Sequence, residues 1–173
     1  MQKKKESLLN ISDDIDILML PRFFLNNLKV KIATEKDLEL ISNLENIIFE
    51  NPWHIFDFNF FYSICNVRVI RLNRSIIGYS VYRFERGYGN KKNICHLLKI
   101  GVHPKFQNSG AGSKLLFEMF CSMRKAKSNI VYLEVRESNK NAIKFYENRG
   151  FYKSKIIDNY YENGEAAFLM IKN

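Results

Sequence analysis

The stretch Ile100-Gly101-Val102-His103-Pro104-Lys105-Phe106-Gln107-Asn108-Ser109-Gly110-Ala111-Gly112-Ser113 decides how this chain is read. It opens as an apolar strand, meets a proline and tightens around Gly110 and Gly112. It then enters an amphipathic helix expected from Lys114 to Arg124. A turn of small residues that opens a helix leaves backbone N–H groups without intrahelical partners, at the positive end of the helix dipole. Such a place receives anions, phosphate above all. Glycines in the turn, having no Cβ, let a ligand come close to the main chain.

Three phosphate-binding patterns compete for this run. A P-loop requires four residues between its glycines and then Lys-Ser/Thr, and neither is present. A dinucleotide fingerprint requires G-x-G-x-x-G, and Leu115 occupies the place of the third glycine. The pattern Q/R-x-x-G-x-G/A is satisfied in full by Gln107-Asn108-Ser109-Gly110-Ala111-Gly112. That short pattern alone does not separate a pyrophosphate loop from an ordinary glycine-rich turn before a surface helix.

The segment downstream separates them. Tyr132-Leu133-Glu134-Val135-Arg136-Glu137-Ser138-Asn139 reads as a strand ending in a turn. Asn139 to Phe151 reads as a helix, with Asn139 as N-cap and Gly150 as the glycine that ends it. Asn159-Tyr160-Tyr161 and a last strand, Ala166 to Ile171, follow. The order L-E-V-R-x-S-N-x-x-A-I-x-x-Y-x-x-x-G-F, then N-Y-Y, G-E-x-A and a Met in the last strand, resembles RimI and its archaeal Ard-type relatives. These are protein Nα-acetyltransferases of the GNAT superfamily. The resemblance runs from about Ile76 to the C-terminus and weakens before it, although Asn51-Pro52-Trp53 is similar to the Pro-Trp of the RimI helical region.

The resemblance implies an α/β GNAT fold: a mixed, mostly antiparallel sheet with helices on both faces. It implies acetyl-CoA as cofactor and direct transfer of its acetyl group to an α-amine, the acceptor being a ribosomal-protein N-terminus or a broader range of N-termini. By position, Ile100, Gly101 and Val102 are expected to present backbone groups to the pantetheine arm. Gln107, Asn108, Ser109, Gly110, Ala111, Gly112 and Ser113 are expected to hold the pyrophosphate. Gly101 stands where relatives usually have Ala, a change expected to loosen the strand mildly.

Acyl transfer needs a neutral amine, a polarised carbonyl and a proton for the leaving thiolate. An α-amine has a pKa of about 8, so a modest base suffices. Glu134 is the expected base and acceptor contact. It lies between Leu133 and Val135, so its side chain points to the opposite face of the strand from theirs. The plain alternative is a solvated strand residue. Tyr146 is the expected acid and a cofactor contact, the alternative being a packing tyrosine beside Ala142 and Ile143. Asn139 is expected to touch the pantetheine arm while capping its helix. His96, which matches a His of archaeal relatives, is expected to share proton relay with Glu134, although a lone His is more often structural. Tyr160 and Tyr161 are expected to border the acceptor peptide. His103 is assigned no role.

Composition bounds the rest. The 173 residues, 46 % of them hydrophobic, suffice for one domain with a core. Residues 1–27 are read as an N-terminal extension, either docked through Leu18, Leu20, Phe23, Phe24 and Leu25 or disordered at its start, and 28–173 as a single domain. No apolar run is long enough to span a bilayer. Asp13, Asp14 and Asp16 break the one candidate signal segment. Cys65, Cys95 and Cys121 are odd in number and far apart, so reduced, mostly buried thiols are expected, with no metal and no disulfide. A cytoplasmic monomer or weak dimer is expected, without membrane or nucleic-acid partner. The net charge of +9 is spread along the chain and suits an anionic cofactor.

Thr34 and Asp37 form an expected capping box before a helix carrying Leu38, Ile41, Leu44, Ile47 and Ile48. A second short helix is expected from Asp57 to Ile64. Strands are expected at Leu28–Ala33, Val67–Leu72, Ser75–Glu85 and Asn93–Val102, with turns at Asn73-Arg74 and Gly87–Lys92. Two other functions remain in view. One is a GNAT enzyme acting on a polyamine or aminoglycoside, which would require an acidic pocket. The acids Glu35, Asp37, Glu39, Glu45 and Glu50 are instead expected on a solvated helix face. The other is a non-catalytic acetyl-CoA-binding module, which would be expected to lack the loop, the base or the acid.

Overall fold

Alternating and helical apolar patterns resolve into seven strands and four helices in the computed structural model, which describes residues 28–86 and 93–173. The order is β1 (Val30–Ile32), α1 (Leu38–Ile48), α2 (Ile55–Ile64), β2 (Asn66–Leu72), β3 (Ser75–Glu85) and β4 (Ile94–Val102). It continues with α3 (Ala111–Lys125), β5 (Ile130–Arg136), α4 (Lys140–Glu147), β6 (Tyr152–Ile157) and β7 (Ala167–Lys172). The strands follow one another across the sheet as β1-β2-β3-β4-β5-β7-β6. β1 with β2, β5 with β7 and β6 with β7 run antiparallel, and β4 with β5 runs parallel. This is the expected mixed, mostly antiparallel architecture. The extension 1–27 and the turn expected at Gly87–Lys92 lie outside the described residues.

Contacts divide the chain into two compact units, each considered by itself. One takes residues up to Ser80 together with Ile100–Glu118, the other Val81–Lys99 with Met119–Asn173.

In the first unit, Asn73 turns β2 back into β3 with φ 54°, a left-handed conformation that Asn tolerates. Ile70, Leu72, Ile77, Phe106, Ala111 and Leu115 form a buried cluster, which anchors both ends of the glycine turn. The capping box is present, Thr34 N–H donating to Asp37 Oδ2 at 2.8 Å, but it opens a short 3-10 turn that leads into α1. Trp53 stacks on Phe61 at 4.5 Å and tilts against Phe58, which meets Tyr79 edge-on. Trp53 of the Pro-Trp element is therefore half-buried against the buried Phe58, while Pro52 is exposed.

The expected solvated acidic face holds for Glu35, Glu39 and Glu50, which are exposed, and is corrected at Glu45 and Asp37. Glu45 is wholly buried, its Oε2 accepting from Tyr79 OH and its Oε1 from Trp53 N–H at 3.0 Å. Asp37 is buried too and pairs with Arg71. An amphipathic pattern counts charge as exposure, whereas donors brought from β2, β3 and the α1–α2 connection hold these carboxylates inside.

In the second unit, the parallel β4–β5 ladder pairs Ile94↔Ile130, Cys95↔Val131 and His96↔Tyr132. It ends there, although β4 runs on through Leu97 and β5 through Leu133. β5 buries Val131, Leu133 and Val135 and turns Tyr132 and Glu134 to the other face. β5 and β7 pair from Val131↔Lys172 to Arg136↔Ala167. Of the three cysteines only Cys95 is buried, Cys65 and Cys121 being half-exposed, so the expectation of mostly buried thiols holds for one. Burial pushes the Cys95 thiol up to about 12, well away from a reactive thiolate.

Candidate active site

The glycine turn is held from inside its own unit. His103 N–H donates to Ile77 carbonyl, and His103 Nδ1 accepts from Lys105 N–H, which starts the short turn Pro104–Phe106. Burial and Lys105 keep the His103 imidazole below its ordinary pKa. Phe106 is fully buried, and Ser109 Oγ donates to its carbonyl at 2.6 Å. Gln107 reaches back to the Val102 carbonyl.

Asn108 and Gly110 take positive φ, 59° and 89°, and for Gly110 that conformation is the reason for glycine. A Cβ on Gly110 would meet no protein atom within 4 Å, so the space beside it is open. The helix begins at Ala111, earlier than expected, and its first ladder bond runs from Lys114 N–H to Gly110 carbonyl at 3.0 Å. The N–H groups of Ala111 and Gly112 thus precede the ladder, as an anion site requires.

Gly101 has a different reason. A Cβ there would stand 2.9 Å from Ile48 Cδ1 and 2.9 Å from Tyr79 Cε1. The expected loosening is therefore corrected: glycine at 101 permits close packing in this unit.

The second unit gathers a cluster of titratable side chains. His96 Nε2 lies 2.8 Å from Glu134 Oε2. The two side chains are 11 % and 14 % exposed, so Glu134 is far from a solvated strand residue. The Tyr132 ring stacks on His96, with 4.2 Å between centroids and 19° between planes. His96 Nδ1 lies 3.7 Å from Glu85 Oε1. The Tyr132 hydroxyl donates to the Glu85 carboxylate at 3.0 and 3.1 Å, and Arg83 donates from Nε and Nη2 to Glu85 Oε1. Burial raises the Glu85 pKa, but the hydrogen bonds from Arg83 and Tyr132 and the nearby positive charges outweigh it, so the carboxyl titrates below its ordinary range.

Asn139 caps α4 as expected, its Oδ1 accepting from Ala142 N–H at 3.0 Å. Tyr146, on that helix, is buried against Phe151 and Phe145. Burial, with Tyr161 nearby, pushes its phenol well above the ordinary range. Tyr160 is half-exposed, and burial pushes its phenol up, with Glu134 adding to the effect. Tyr161 lies under the Arg136 guanidinium, 3.8 Å from ring centroid to carbon.

The segment carrying both tyrosines is pinned. Glu165 accepts from Arg136 at 2.8 Å and from Ser138 N–H at 3.0 Å, and Glu137 N–H donates to Ala166 carbonyl. The Ser138 and Arg136 hydrogen bonds hold the Glu165 carboxyl down at about 2.

The second unit therefore contains Glu134, His96, Tyr146, Asn139, Tyr160 and Tyr161. The first contains Ile100, Gly101, Val102 and the loop Gln107–Ser113. Sequence reasoning missed Glu85, Arg83, Tyr132, Arg136 and Glu165. Alternation was the available signal for the first three: Arg83 and Glu85 share one face of β3, as Tyr132 and Glu134 share one face of β5.

The chain matches the model of the Acetyltransferase (GNAT) family over residues 38–151. It is 31 % identical over 153 residues to an N-alpha-acetyltransferase of Sulfolobus acidocaldarius, covering 83 % of this chain and 91 % of that one. Its match to the N-alpha-acetyltransferase of Sulfurisphaera tokodaii is 34 % identical and spans 65 % of that protein and 59 % of this chain. The crystal structure of the ribosomal-protein-S18-alanine N-acetyltransferase from Escherichia coli superposes with a TM-score of 0.72 at 25 % identity, covering 84 % of this chain and 92 % of that one.

Proposed function

The chain belongs to the GNAT acetyltransferase family, an acetyl-CoA-dependent acyltransferase class, and we propose that it acetylates the α-amine of protein N-termini with Glu134 as the base. The 2.8 Å contact between Glu134 and His96 carries this reading. It couples the carboxylate of the L-E-V strand to a second group able to take a proton. Glu134 takes the proton from the acceptor ammonium. Acetyl-CoA, when bound, would supply the thioester: attack by the freed amine would form the C–N bond and break the C–S bond with its electron pair leaving on sulfur, and the second proton shed by the new amide nitrogen would pass to that sulfur.

The residues of the first unit fit acetyl-CoA. Gly110 borders open space, and the amides of Ala111 and Gly112 precede the helical ladder, which together suit a pyrophosphate. Gln107, Asn108, Ser109 and Ser113 complete that loop. The main chain of Ile100, Gly101 and Val102 would hold the pantetheine arm, and acetyl-CoA when bound supplies the activated acyl group.

Tyr146 keeps its proton, because burial pushes its phenol up. Transfer of that proton to a thiolate of ordinary pKa, about 8.5, is uphill. Its part is then a hydrogen bond to the leaving sulfur, protonation being completed as product departs. Tyr160 and Tyr161, on a segment pinned by Arg136 and Glu165, would border the peptide.

The small-amine reading loses support, because Asp37 and Glu45 are buried and paired rather than lining an acidic pocket. The test is acetyl-CoA turnover against peptides that differ in their first residues, a ribosomal-protein N-terminus among them, with polyamines alongside. Transfer to peptide α-amines, lost when those amines are blocked, supports the reading. Transfer to polyamines alone overturns it.

A further inference from the structure

We infer that Phe23-Phe24-Leu25 of this chain adds a strand to the open edge of β1, seats Phe23 and Leu25 in the groove between β1 and α3, and so braces the first turn of α3. The seating stands apart from the proposed function. Only its consequence for acetyl-CoA rests on the reading of the glycine turn as a pyrophosphate loop.

The groove lies wholly within the first unit. Leu28 and Val30 form one wall, and Ser113, Lys114 and Phe117 of α3 form the other, around about 460 Å³ of open space. Leu28 and Val30 also pack against the buried cluster that holds Phe106 and Leu115, so the floor of the groove is continuous with core. Phe117 is 61 % exposed, a large apolar ring standing over an apolar floor. Such a surface gains by being covered.

The main chain beside the groove is uncovered as well. Among the described residues only β2 pairs with β1. Ala33 N–H donates to Val67 carbonyl at 3.0 Å, and the register continues as Ile32↔Arg68, Lys31↔Val69 and Val30↔Ile70. Bonded and non-bonded pairs alternate along an antiparallel ladder. Ala33 and Lys31 therefore turn their N–H groups to β2, and Val30 turns its N–H and carbonyl outward. Outward groups on an edge strand are a template for another strand.

The segment ahead of Leu28 fits that template. It reads Phe23-Phe24-Leu25-Asn26-Asn27. A two-residue turn at Asn26-Asn27 sets Leu25 opposite Leu28 and Phe23 opposite Val30. Those are the partners that alternation leaves open. The turn needs positive φ, which Asn tolerates, and Asn73 takes φ 54° in the turn from β2 to β3. Side chains directly opposite each other share a face, so Phe23 and Leu25 fall on the groove side with Val30 and Leu28. Pro21, which has no N–H, and Arg22, which falls opposite Lys31, end the pairing. A second copy could meet the same edge, but the chain's own segment is tethered by two residues, at an effective concentration on the order of millimolar.

Ser113 and Lys114 sit in the first turn of α3, directly after Gly110-Ala111-Gly112. Filling the groove holds that turn and fixes its amides before the pyrophosphate arrives, which favours binding.

The experiment is amide hydrogen exchange by NMR on the full chain, at low and at high protein concentration, with acetyl-CoA calorimetry beside it. It compares wild type with the double variant Phe23→Ser, Leu25→Ser and with Phe117→Ser. In wild type the Val30 N–H is expected to exchange as slowly as the Lys31 N–H at both concentrations. The double variant is expected to free the Val30 N–H and leave Lys31 protected. Its acetyl-CoA affinity should fall about 5-fold or more, the lower end for coupled sites. Phe117→Ser is expected to speed exchange at Val30 in the same sense.

A freely exchanging Val30 N–H in wild type overturns the inference whether or not the variants fold. Protection that appears only at high concentration gives the edge to a second copy and overturns it too, as does protection that survives in the double variant. Unchanged affinity in a variant that has lost protection overturns the bracing. None of these readouts needs an acceptor, so a chain that shows them and acetylates no peptide overturns only the acceptor reading.

Discussion

Glu45 and Glu134 each follow a leucine, and each stands away from solvent, yet their surroundings differ in kind. Glu45, in the first unit, is closed off, with one oxygen on Trp53 N–H and the other on the Tyr79 hydroxyl. Glu134, in the second, meets an imidazole at 2.8 Å through one oxygen, and among the described residues no hydrogen bond reaches its Oε1. A buried carboxylate whose oxygens are all satisfied by fixed donors has little left to do but hold structure. One that shares a proton with a titratable partner and keeps an oxygen available is equipped for chemistry.

The comparison is broken most readily by exchanging the two outcomes. Glu134→Gln is expected to lower kcat by roughly 10²–10⁴-fold, the range of general-base catalysis, with acetyl-CoA affinity unchanged by calorimetry. An unchanged rate would remove Glu134 from the mechanism.

Glu45→Ala is expected to act on stability instead. It removes the acceptor of the buried Tyr79 hydroxyl, at a cost of about 3 kcal/mol by denaturant unfolding. The folded fraction should keep the wild-type pH–rate profile. A displaced profile would mean that Glu45 also handles protons.

Gly101→Ala sharpens the packing side of the comparison. The added Cβ overlaps Ile48 and Tyr79, the latter being the donor to Glu45. Overpacking of this kind is expected to cost about 2 kcal/mol in the same assay. A stability gain would show that the glycine serves another end.

Asn139→Ala gives the smallest change. The lost cap on Ala142 N–H is expected to cost about 1 kcal/mol. If Asn139 also holds the pantetheine arm, acetyl-CoA affinity falls with it. Unchanged affinity would leave the cap as its whole role.

Much of the fold was legible because its signals are local. The hairpin at Asn73-Arg74, the alternation along β5, the Asn139 cap and the positive φ of Gly110 and Gly150 follow from nearest-neighbour preferences of single residues. The element order came from such signals and from the resemblance. Helix and strand ends were less legible. α3 starts at Ala111 rather than Lys114 because burial of Ala111 beside Phe106 and Leu115 draws the turn into the helix.

The candidate site residues were named as positions along the chain, and their partners were not. Nothing local says that β3 brings Glu85 to His96, or that Arg136 reaches across to Glu165 and Tyr161. The misread residues, Glu45 and Asp37, fail for the same reason, since a charged residue at helical spacing looks solvated until the donors from distant strands are in place.

The sequence by itself determined the family, the order of elements, the glycine turn and the positions of Glu134, Tyr146 and His96, because each depends on residues adjacent in the chain or on a dense ordered motif. Only the tertiary structure decided which carboxylate is closed off by fixed donors and which meets a titratable partner. That depends on which donors and titratable groups arrive from other strands, and hydrogen bonds and charge interactions act over a few ångströms of space without regard to separation along the chain.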